Sequence, residues 1–100
     1  MVKHIIIFRL TNYKDLEDKR KQLKLMEDSF SVLGEKLPYI VEYRTGINTT
    51  EAGHAWDFVI DSVFASRSDL EKYQHSEEHL ESIRKTSGIA REKALVDYEF

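Results

Sequence analysis

Histidine is the side chain of this 100-residue protein best suited to moving protons near neutral pH, and it occurs at positions 4, 54, 75 and 79. His4 is the only polar residue on one face of the predicted first strand, where its ring could reach a pocket between sheet and helices. His79 falls in the first turn of a predicted helix, where the helix dipole favours the neutral, basic imidazole. We therefore predict His4 and His79 as acid–base candidates.

Each histidine also has a purely structural interpretation. His4 could be a core residue whose ring is satisfied by a backbone carbonyl or a tyrosine hydroxyl, since buried polar groups nearly always find partners. His79 could be a surface residue near the start of a helix. His54 and His75 fall in predicted loops, where we expect solvated side chains.

Metal and cofactor chemistry find little support in the sequence. The chain has no cysteine, and its histidines and carboxylates show no His-x-x-x-His or similar spacing. Asp97 and Glu99 share a strand face with Leu95 and could act as paired carboxylates, but a place at a sheet edge or dimer rim is the simpler interpretation. We expect no metal site and no cofactor, and we find no glycine-rich phosphate loop.

The composition indicates one small domain spanning residues 1–100. Its 15 basic and 18 acidic residues give a net charge of −3, and the interspersed signs predict no nucleic-acid partner. The longest apolar stretches are far below membrane-spanning length, and the N-terminus lacks the features of a signal peptide. We therefore expect a cytoplasmic protein with no membrane partner.

Four stretches rich in β-branched and aromatic residues predict strands, and they are Val2–Leu10, Tyr39–Ile47, Trp56–Phe64 and Ala94–Phe100. Between the first two, apolar residues recur every three, four or seven positions, which predicts a long helix from Lys14 to about Lys36. Pro38 stops that helix. The resulting order of elements begins β, α, β, β.

The segment before the last strand predicts two short helices. Ser66 or Ser68 can cap the first, which runs to about Gln74, and Ser76 opens a second that Gly88 ends. The full order is therefore βαββαβ, with the second helical segment broken in two. This order predicts an α+β, ferredoxin-like fold, in which a four-stranded antiparallel sheet carries helices on one face.

Helices on one face leave the other face of the sheet open. Apolar residues nevertheless occupy that second face, namely Ile5, Ile7, Val59 and Val63. A chain this short buries a small core, and the same sheet in a second copy is the obvious cover. We predict a two-fold homodimer with these residues between the sheets.

Three parts of the sequence are similar to a known family. They are the opening Val-Lys-His-Ile-Ile-Ile-Phe at 2–8, the stretch from Trp56-Asp57-Phe58 through Phe64-Ala65-Ser66 to Leu70 and Tyr73, and the ending at 94–100. Together they resemble the stress-responsive A/B-barrel (Dabb) domain family over essentially the whole chain. The resemblance implies a ferredoxin-like fold whose sheets pair into a dimeric α+β barrel.

One enzymatic member of that family, a plant polyketide cyclase, works by aldol condensation without a metal. Its key residues match His4, Tyr73 and His79, while a further histidine falls at Phe58 here. The resemblance thus implies one pocket around His4, Tyr73 and His79, in which His79 takes a carbon-bound proton and Tyr73 holds the enolate oxygen. We also predict that Phe58, Trp56 and Phe8 contact the ligand.

Three functions are open at this point. The protein could be a homodimer that binds a small apolar or aromatic, oxygen-bearing molecule between sheet and helices. It could be a cofactor-free cyclase or lyase that uses the His/Tyr site. It could also be a stress-protective oligomer without catalysis. An open, partly polar pocket beside His4 and His79 favours the first two, and a packed interior favours the third.

Overall fold

The computed structural model describes residues 1–100. Its elements in chain order are β1 (Val2–Leu10), α1 (Leu16–Phe30), α2 (Leu33–Lys36), β2 (Ile40–Ile47), β3 (Phe58–Phe64), α3 (Arg67–Gln74), α4 (Glu77–Lys85) and β4 (Arg91–Glu99). The predicted ferredoxin-like α+β fold is confirmed, with both helical segments split in two. None of these helices combines the length and the apolar composition that crossing a membrane requires.

The four strands form one antiparallel sheet in the order β2-β3-β1-β4. Since β1 is central, its residues have partners on both sides, and His4 lies opposite Ser62 of β3 and Asp97 of β4. Residues directly opposite one another in a sheet project from the same face. The register therefore brings the Asp97 carboxylate next to the His4 ring.

The two faces of the sheet differ in burial. On the helix-covered face, Phe8 of β1 is buried in a core with Met26 and Phe30 of α1. Burying side chains of this size stabilises the fold by about 1.5–3 kcal/mol each. On the opposite face, Ile5 and Ile7 are only partly buried. The helices thus cover one face of the sheet and leave the other face open.

The predicted helix from Lys14 to Lys36 is two helices, which is a correction to the sequence analysis. The break between α1 and α2 lets the second helix approach β2 very closely. A Cβ atom at Gly34 would lie only 2.8 Å from the Cβ of Tyr43. Because no residue with a side chain fits that gap without a shift, glycine permits this close approach of α2 to β2.

Serine hydroxyls begin the two helices that carry the site. Of the two predicted caps for α3, Ser66 is the one used, and Ser68 lies within the helix. Ser76 caps α4 by accepting a hydrogen bond from the backbone N–H of His79 at 3.2 Å. The helix ends before the predicted Gly88. This cap fixes the position of His79 relative to the end of α3.

Two strand boundaries also differ from the prediction. β3 begins at Phe58, so Trp56 precedes the strand. β4 begins at Arg91 rather than Ala94, because its pairing with β1 continues to the Leu10–Arg91 pair. The charged residues at the start of β4 obscured the strand in the sequence. The earlier start matters because it adds two cationic side chains to the helix-covered face.

Asp57 is a buried carboxylate that joins three elements. It immediately precedes β3 and is only 7% exposed. Its Oδ2 accepts the backbone N–H of Leu10 at 2.8 Å, and its Oδ1 lies 2.8 Å from Nζ of Lys19. The carboxylate therefore ties the end of β1 and the start of β3 to α1.

Candidate functional site

A cavity of about 270 Å³ lies between the sheet and the helices. Ten residues from β1, β3, β4, α1, α3 and α4 line it, and they are His4, Ile6, Phe8, Phe30, Ile60, Tyr73, His79, Ile83, Arg91 and Lys93. Mostly apolar walls with a few polar groups are typical of small-molecule sites. The volume lies at the lower end of the range for such sites, so it suits a small ligand.

His4 is held by a carboxylate on the neighbouring strand. The residue is 5% exposed, and its Nδ1 lies 2.6 Å from Oδ1 of Asp97. A carboxylate only accepts hydrogen bonds, so the proton sits on Nδ1. When the ring is neutral, Nε2 therefore carries the lone pair and is the basic nitrogen.

His79 is held in the same tautomer by a backbone group. Its Nδ1 donates to the carbonyl oxygen of Gln74 at 3.1 Å, which leaves Nε2 as the basic nitrogen. Burial lowers the pKa of His79 below its usual value; the Gln74 carbonyl opposes this in part, and the nearby His4 and Lys93 add to it. The ring is thus neutral near pH 7. The sequence analysis expected this direction from the helix dipole, whereas burial is the main cause.

The ring of Tyr73 lies near both histidines, and its hydroxyl is protonated. The residue is 2% exposed, and burial raises its pKa to about 12, while a hydrogen bond with the Tyr43 hydroxyl at 3.3 Å lowers it in part. Burial likewise raises the pKa of Tyr43. Tyr73 therefore stays protonated throughout the neutral range and can donate a hydrogen bond.

The structure brings His4, Tyr73 and His79 together around the cavity. The ring centroid of Tyr73 lies 4.6 Å from that of His79 and 6.4 Å from that of His4. Tyr73 and His79 lie on different helices, with the break between α3 and α4 separating them in the sequence. Ser76 caps the start of α4 at this break, which holds His79 close to the end of α3. All three side chains therefore line one cavity.

The three predicted ligand contacts fall in different places. Phe8 lines the cavity. Phe58 packs in the core, with its ring centroid 6.2 Å from that of Phe8. Phe58 and Trp56 border a separate pocket of about 300 Å³ together with Ile7 and Val59. Trp56 was the first residue of the predicted third strand, but it precedes β3, so strand alternation does not determine its direction.

The other two histidines lie apart from the cavity. His54 and His75 are exposed, as the sequence analysis expected. His54 borders the pocket that contains Trp56. Nδ1 of His75 lies 2.8 Å from the backbone carbonyl oxygen of Glu71, so the ring is hydrogen-bonded to the C-terminal turn of α3.

Three residues of β4 next to the site were not connected with it from the sequence. Asp97 was assigned to a sheet edge or dimer rim, and β4 is an edge strand, but its contact with His4 was not expected; Arg91 and Lys93 were left outside the predicted strand. All three belong to one face of β4, since their partners on β1 are His4, Leu10 and Phe8 respectively. The available signal was the alternation of residues 91, 93, 95 and 97, which extends the predicted face by two positions.

Metal-ligating side chains are not grouped in this protein. No three or more His, Asp or Glu residues lie together in an arrangement that could hold a metal ion. The polar groups of the cavity are instead two imidazoles, a phenol, a guanidinium and an ammonium group. These groups exchange protons and bind anions or oxygen atoms.

The fold and the cavity together define a small α+β protein with one His/Tyr pocket per chain. The chain belongs to the stress responsive A/B barrel domain family, whose model matches residues 2–100. No curated protein matches the chain in sequence.

Solved structures show the same fold. A dimeric protein of ferredoxin-like fold from Bacteroides fragilis is 27% identical, with 99% of this chain and 95% of that chain covered and a TM-score of 0.86. A dimeric ferredoxin-like protein from Thermobifida fusca is 17% identical, with 99% and 90% covered and a TM-score of 0.83. The hydroxynitrile lyase of Passiflora edulis is 18% identical, with 97% and 90% covered and a TM-score of 0.75.

Proposed function

We propose that this protein is a homodimer that binds a small apolar or aromatic, oxygen-bearing molecule in the cavity of each chain. The observation that carries the proposal is the cavity itself, which His4, Tyr73 and His79 border together. A protein with only a protective, structural role has no need for open space beside three polar side chains, because such space forfeits packing contacts.

The walls of the cavity define the chemistry of the ligand. Ile6, Phe8, Phe30, Ile60 and Ile83 offer an apolar surface, which favours an aliphatic chain or an aromatic ring. The Tyr73 hydroxyl can donate to an oxygen atom of the ligand, and the two Nε2 atoms can accept from a ligand hydroxyl. An apolar molecule with one or two oxygen atoms satisfies both sets of groups.

Binding of a neutral probe, 2-naphthylmethanol, tests this proposal. We expect the probe to shift the imidazole NMR signals of His4 and His79 and to leave those of His54 and His75 unchanged. The variant Ile83→Trp should abolish the shifts, since a larger side chain at the exposed Ile83 fills the cavity mouth.

The control for this experiment is Leu80→Trp, which adds the same ring to an exposed position of α4 outside the cavity. It should bind the probe as the wild type does. If the probe moves none of the histidine signals, or binds equally well to Ile83→Trp, the cavity is not a binding site.

The argument for a homodimer comes from the apolar face of the sheet opposite the helices. Val96 and Tyr98 of β4 are 59% and 48% exposed, and they lie opposite Ile5 and Lys3 on the same face. Several solved proteins with this fold are described as dimeric. We propose that two copies pair through this face. Val63, which the sequence analysis placed in the interface, is already buried within one chain at 4% exposure.

A second candidate function is acid–base catalysis by the protein's own side chains, in a cyclase-like or lyase-like reaction. The specific observation in its favour is that the neutral His79, whose Nδ1 is engaged by the Gln74 carbonyl, lies beside a protonated Tyr73. A protein with the same fold is a hydroxynitrile lyase. These groups are the ones needed to move a proton and to stabilise the resulting negative charge.

The step follows from the positions of the groups. The carbon–hydrogen bond next to a ligand carbonyl breaks, its proton moves to Nε2 of His79, and the bonding electrons form an enolate. The Tyr73 hydroxyl donates to the enolate oxygen. Return of the proton to the same carbon restores the ligand. Alternatively, that carbon attacks a second carbonyl of the same ligand and closes a ring, the C=O π electrons move to the oxygen, and the resulting alkoxide takes the proton back from Nε2 of His79.

Exchange of the α-hydrogens of phenylacetone in deuterated buffer measures the first half of this step. Wild-type protein should accelerate the exchange, and His79→Ala should reduce the acceleration by roughly 10²–10⁴-fold, as expected for loss of a general base. His75→Ala, which removes an exposed histidine, is the matched control. An unchanged rate in His79→Ala would exclude His79 as the base while leaving the binding function intact.

A further inference from the structure

We propose that the ligand of the cavity is an anion, namely an apolar molecule that carries a carboxylate group bound by Arg91 and Lys93. This proposal rests on the binding function above and adds the charge of the ligand to it. Arg91 and Lys93 are the basic side chains of the cavity lining, and the lining contains no Asp or Glu. A cavity with this composition has a positive potential that favours an anionic ligand.

The Arg91 guanidinium has no anionic partner in the chain. It is partly buried, and its hydrogen bonds go to neutral acceptors, namely the carbonyl oxygens of Thr86 at 2.6 Å and Ile89 at 3.3 Å and the Thr86 hydroxyl at 3.2 Å. These contacts hold the group in place without balancing its charge. Burial without a counter-charge lowers the pKa of Arg91, although not enough to remove its proton at neutral pH.

Lys93 lies two residues further along β4 and projects from the same sheet face. It forms no ion pair, while the neighbouring Glu92 points to the other face and pairs with Arg9. Its charge is close enough to His79 to lower the pKa of that ring. Arg91 and Lys93, neither of which forms an ion pair, therefore lie together on the β4 side of the cavity.

The acid Asp97 on the same face of β4 pairs with other groups. Its Oδ1 lies 2.6 Å from Nδ1 of His4, and its second oxygen lies 3.7 Å from the guanidinium of Arg67. A carboxylate from outside the chain would supply the missing negative charge. The planar guanidinium can bind both oxygens of such a group at once, which is the strongest arrangement for this pair.

The position of Phe8 shows how the rest of the ligand would lie. The Arg91 guanidinium carbon is 5.6 Å from the centroid of the Phe8 ring. Phe8 in turn stacks on Phe30, with ring centroids 6.4 Å apart. An aromatic carboxylate can therefore place its carboxylate on Arg91 and Lys93 and its ring against Phe30 and Ile60. Tyr73 and His79 then face the middle of the molecule.

Calorimetric titration with 2-naphthoate and with neutral 2-naphthylmethanol compares the two ligand charges on the same ring. We expect wild-type protein to bind the carboxylate at least about tenfold more tightly, and the difference to shrink at high salt. Arg91→Gln and Lys93→Gln should each remove most of this preference while binding of the neutral probe changes little. Lys21→Gln, which removes a charge from the exposed face of α1, should behave like the wild type.

Arg91→Lys tests whether the effect of Arg91→Gln comes from the lost charge or from a folding defect at this position. It keeps the positive charge and should retain a clear preference for the carboxylate, weaker than in the wild type because the bidentate contact is lost. Displacement of 2-naphthoate by inorganic phosphate at equal concentration would overturn the assignment to an apolar carboxylate and indicate a general anion site.

The two proposals fail in different ways. If both probes bind with equal affinity, and Arg91→Gln and Lys93→Gln change nothing, the anion proposal is wrong and the binding function stands. If neither probe binds, the binding function is wrong, and the anion proposal falls with it.

Discussion

Nδ1 of His4 lies 2.6 Å from Oδ1 of Asp97, although the two residues are 93 positions apart in the chain. They meet because β1 and β4, the first and last strands, are neighbours in the sheet and pair in a register that puts these residues opposite each other. The carboxylate orients the imidazole and fixes its tautomer. The orientation of His4 in the cavity therefore depends on the pairing of the two terminal strands.

Asp97→Asn should disturb this tautomer without removing the side chain. The amide can accept from Nδ1 or donate to it, so neutral His4 should populate both tautomers, and long-range nitrogen–hydrogen NMR spectra would show the mixture. We also expect a loss of roughly 1–3 kcal/mol in the free energy of unfolding, since the bond is charge-assisted.

Glu99→Gln is the control for that experiment. Glu99 is exposed and on the same strand face, and its only ion pair is a 3.4 Å contact with Arg67. Its effect on stability should stay within about 0.5 kcal/mol. A single Nδ1-protonated tautomer in Asp97→Asn would show that another group orients His4.

The stability of the protein should depend on pH through His79. Its pKa is lowered in the folded state, so between that value and the unfolded value of about 6.5 the unfolded chain binds more protons. The contribution of neutral His79 to the free energy of unfolding is thus fully present above about pH 6.5. It is lost as the pH falls from there through the pKa of His79 in the folded protein. His79→Gln should show a shallower decline than the wild type in urea unfolding measured from pH 7.5 to 5.

His75→Gln provides the comparison for this measurement, because His75 is exposed and lies at the neighbouring helix end. Its pH profile should follow that of the wild type. Identical profiles for the wild type and His79→Gln would mean that His79 is as easily protonated in the folded protein as in the unfolded chain.

Ile7→Asp should break the proposed homodimer. Ile7 is partly buried on the face opposite the helices, and a contact of the obligate type should bury roughly 1,200 Å² or more in total. A charge in that contact would lose its water without gaining a partner. Sedimentation velocity at micromolar concentration should give a dimer for the wild type and a monomer or aggregate for Ile7→Asp.

Leu25→Asp is the matched substitution, since Leu25 is 44% exposed on α1 and lies away from that face. It should remain dimeric. A wild-type protein that sediments as a monomer would overturn the proposed assembly.

Asp57→Ala should destabilise the fold far more than the loss of an exposed carboxylate. The substitution leaves the buried backbone N–H of Leu10 without its partner and removes the ion pair with Lys19. We expect a loss of roughly 2–4 kcal/mol in the free energy of unfolding, measured by chemical denaturation. Asp28→Ala, which breaks an exposed pair with Lys24, should cost less than about 1 kcal/mol. Equal losses in the two variants would argue against an anchoring role for Asp57.

The sequence determined which segments form strands and helices and which residues share a face of each. Strand alternation and helical periodicity are local properties, so they identified four strands and the apolar side of β1 correctly. They also placed His4 on the helix-covered side, because even-numbered residues of β1 share a face. The break between α1 and α2 was missed because the apolar periodicity continues across it, and that periodicity carries no trace of the close approach of Gly34 to Tyr43 on β2.

The tertiary structure decided which side chains meet. The alternation of residues 91 to 97 was visible in the sequence, but only the pairing of β4 with β1 places Asp97 on His4 and Arg91 over Phe8. The burial that keeps His79 neutral likewise comes from elements distant in the chain. A local pattern tells which way a side chain points from its own strand or helix. Its partner, its burial and hence its protonation depend on strand order and register, which are properties of the whole fold.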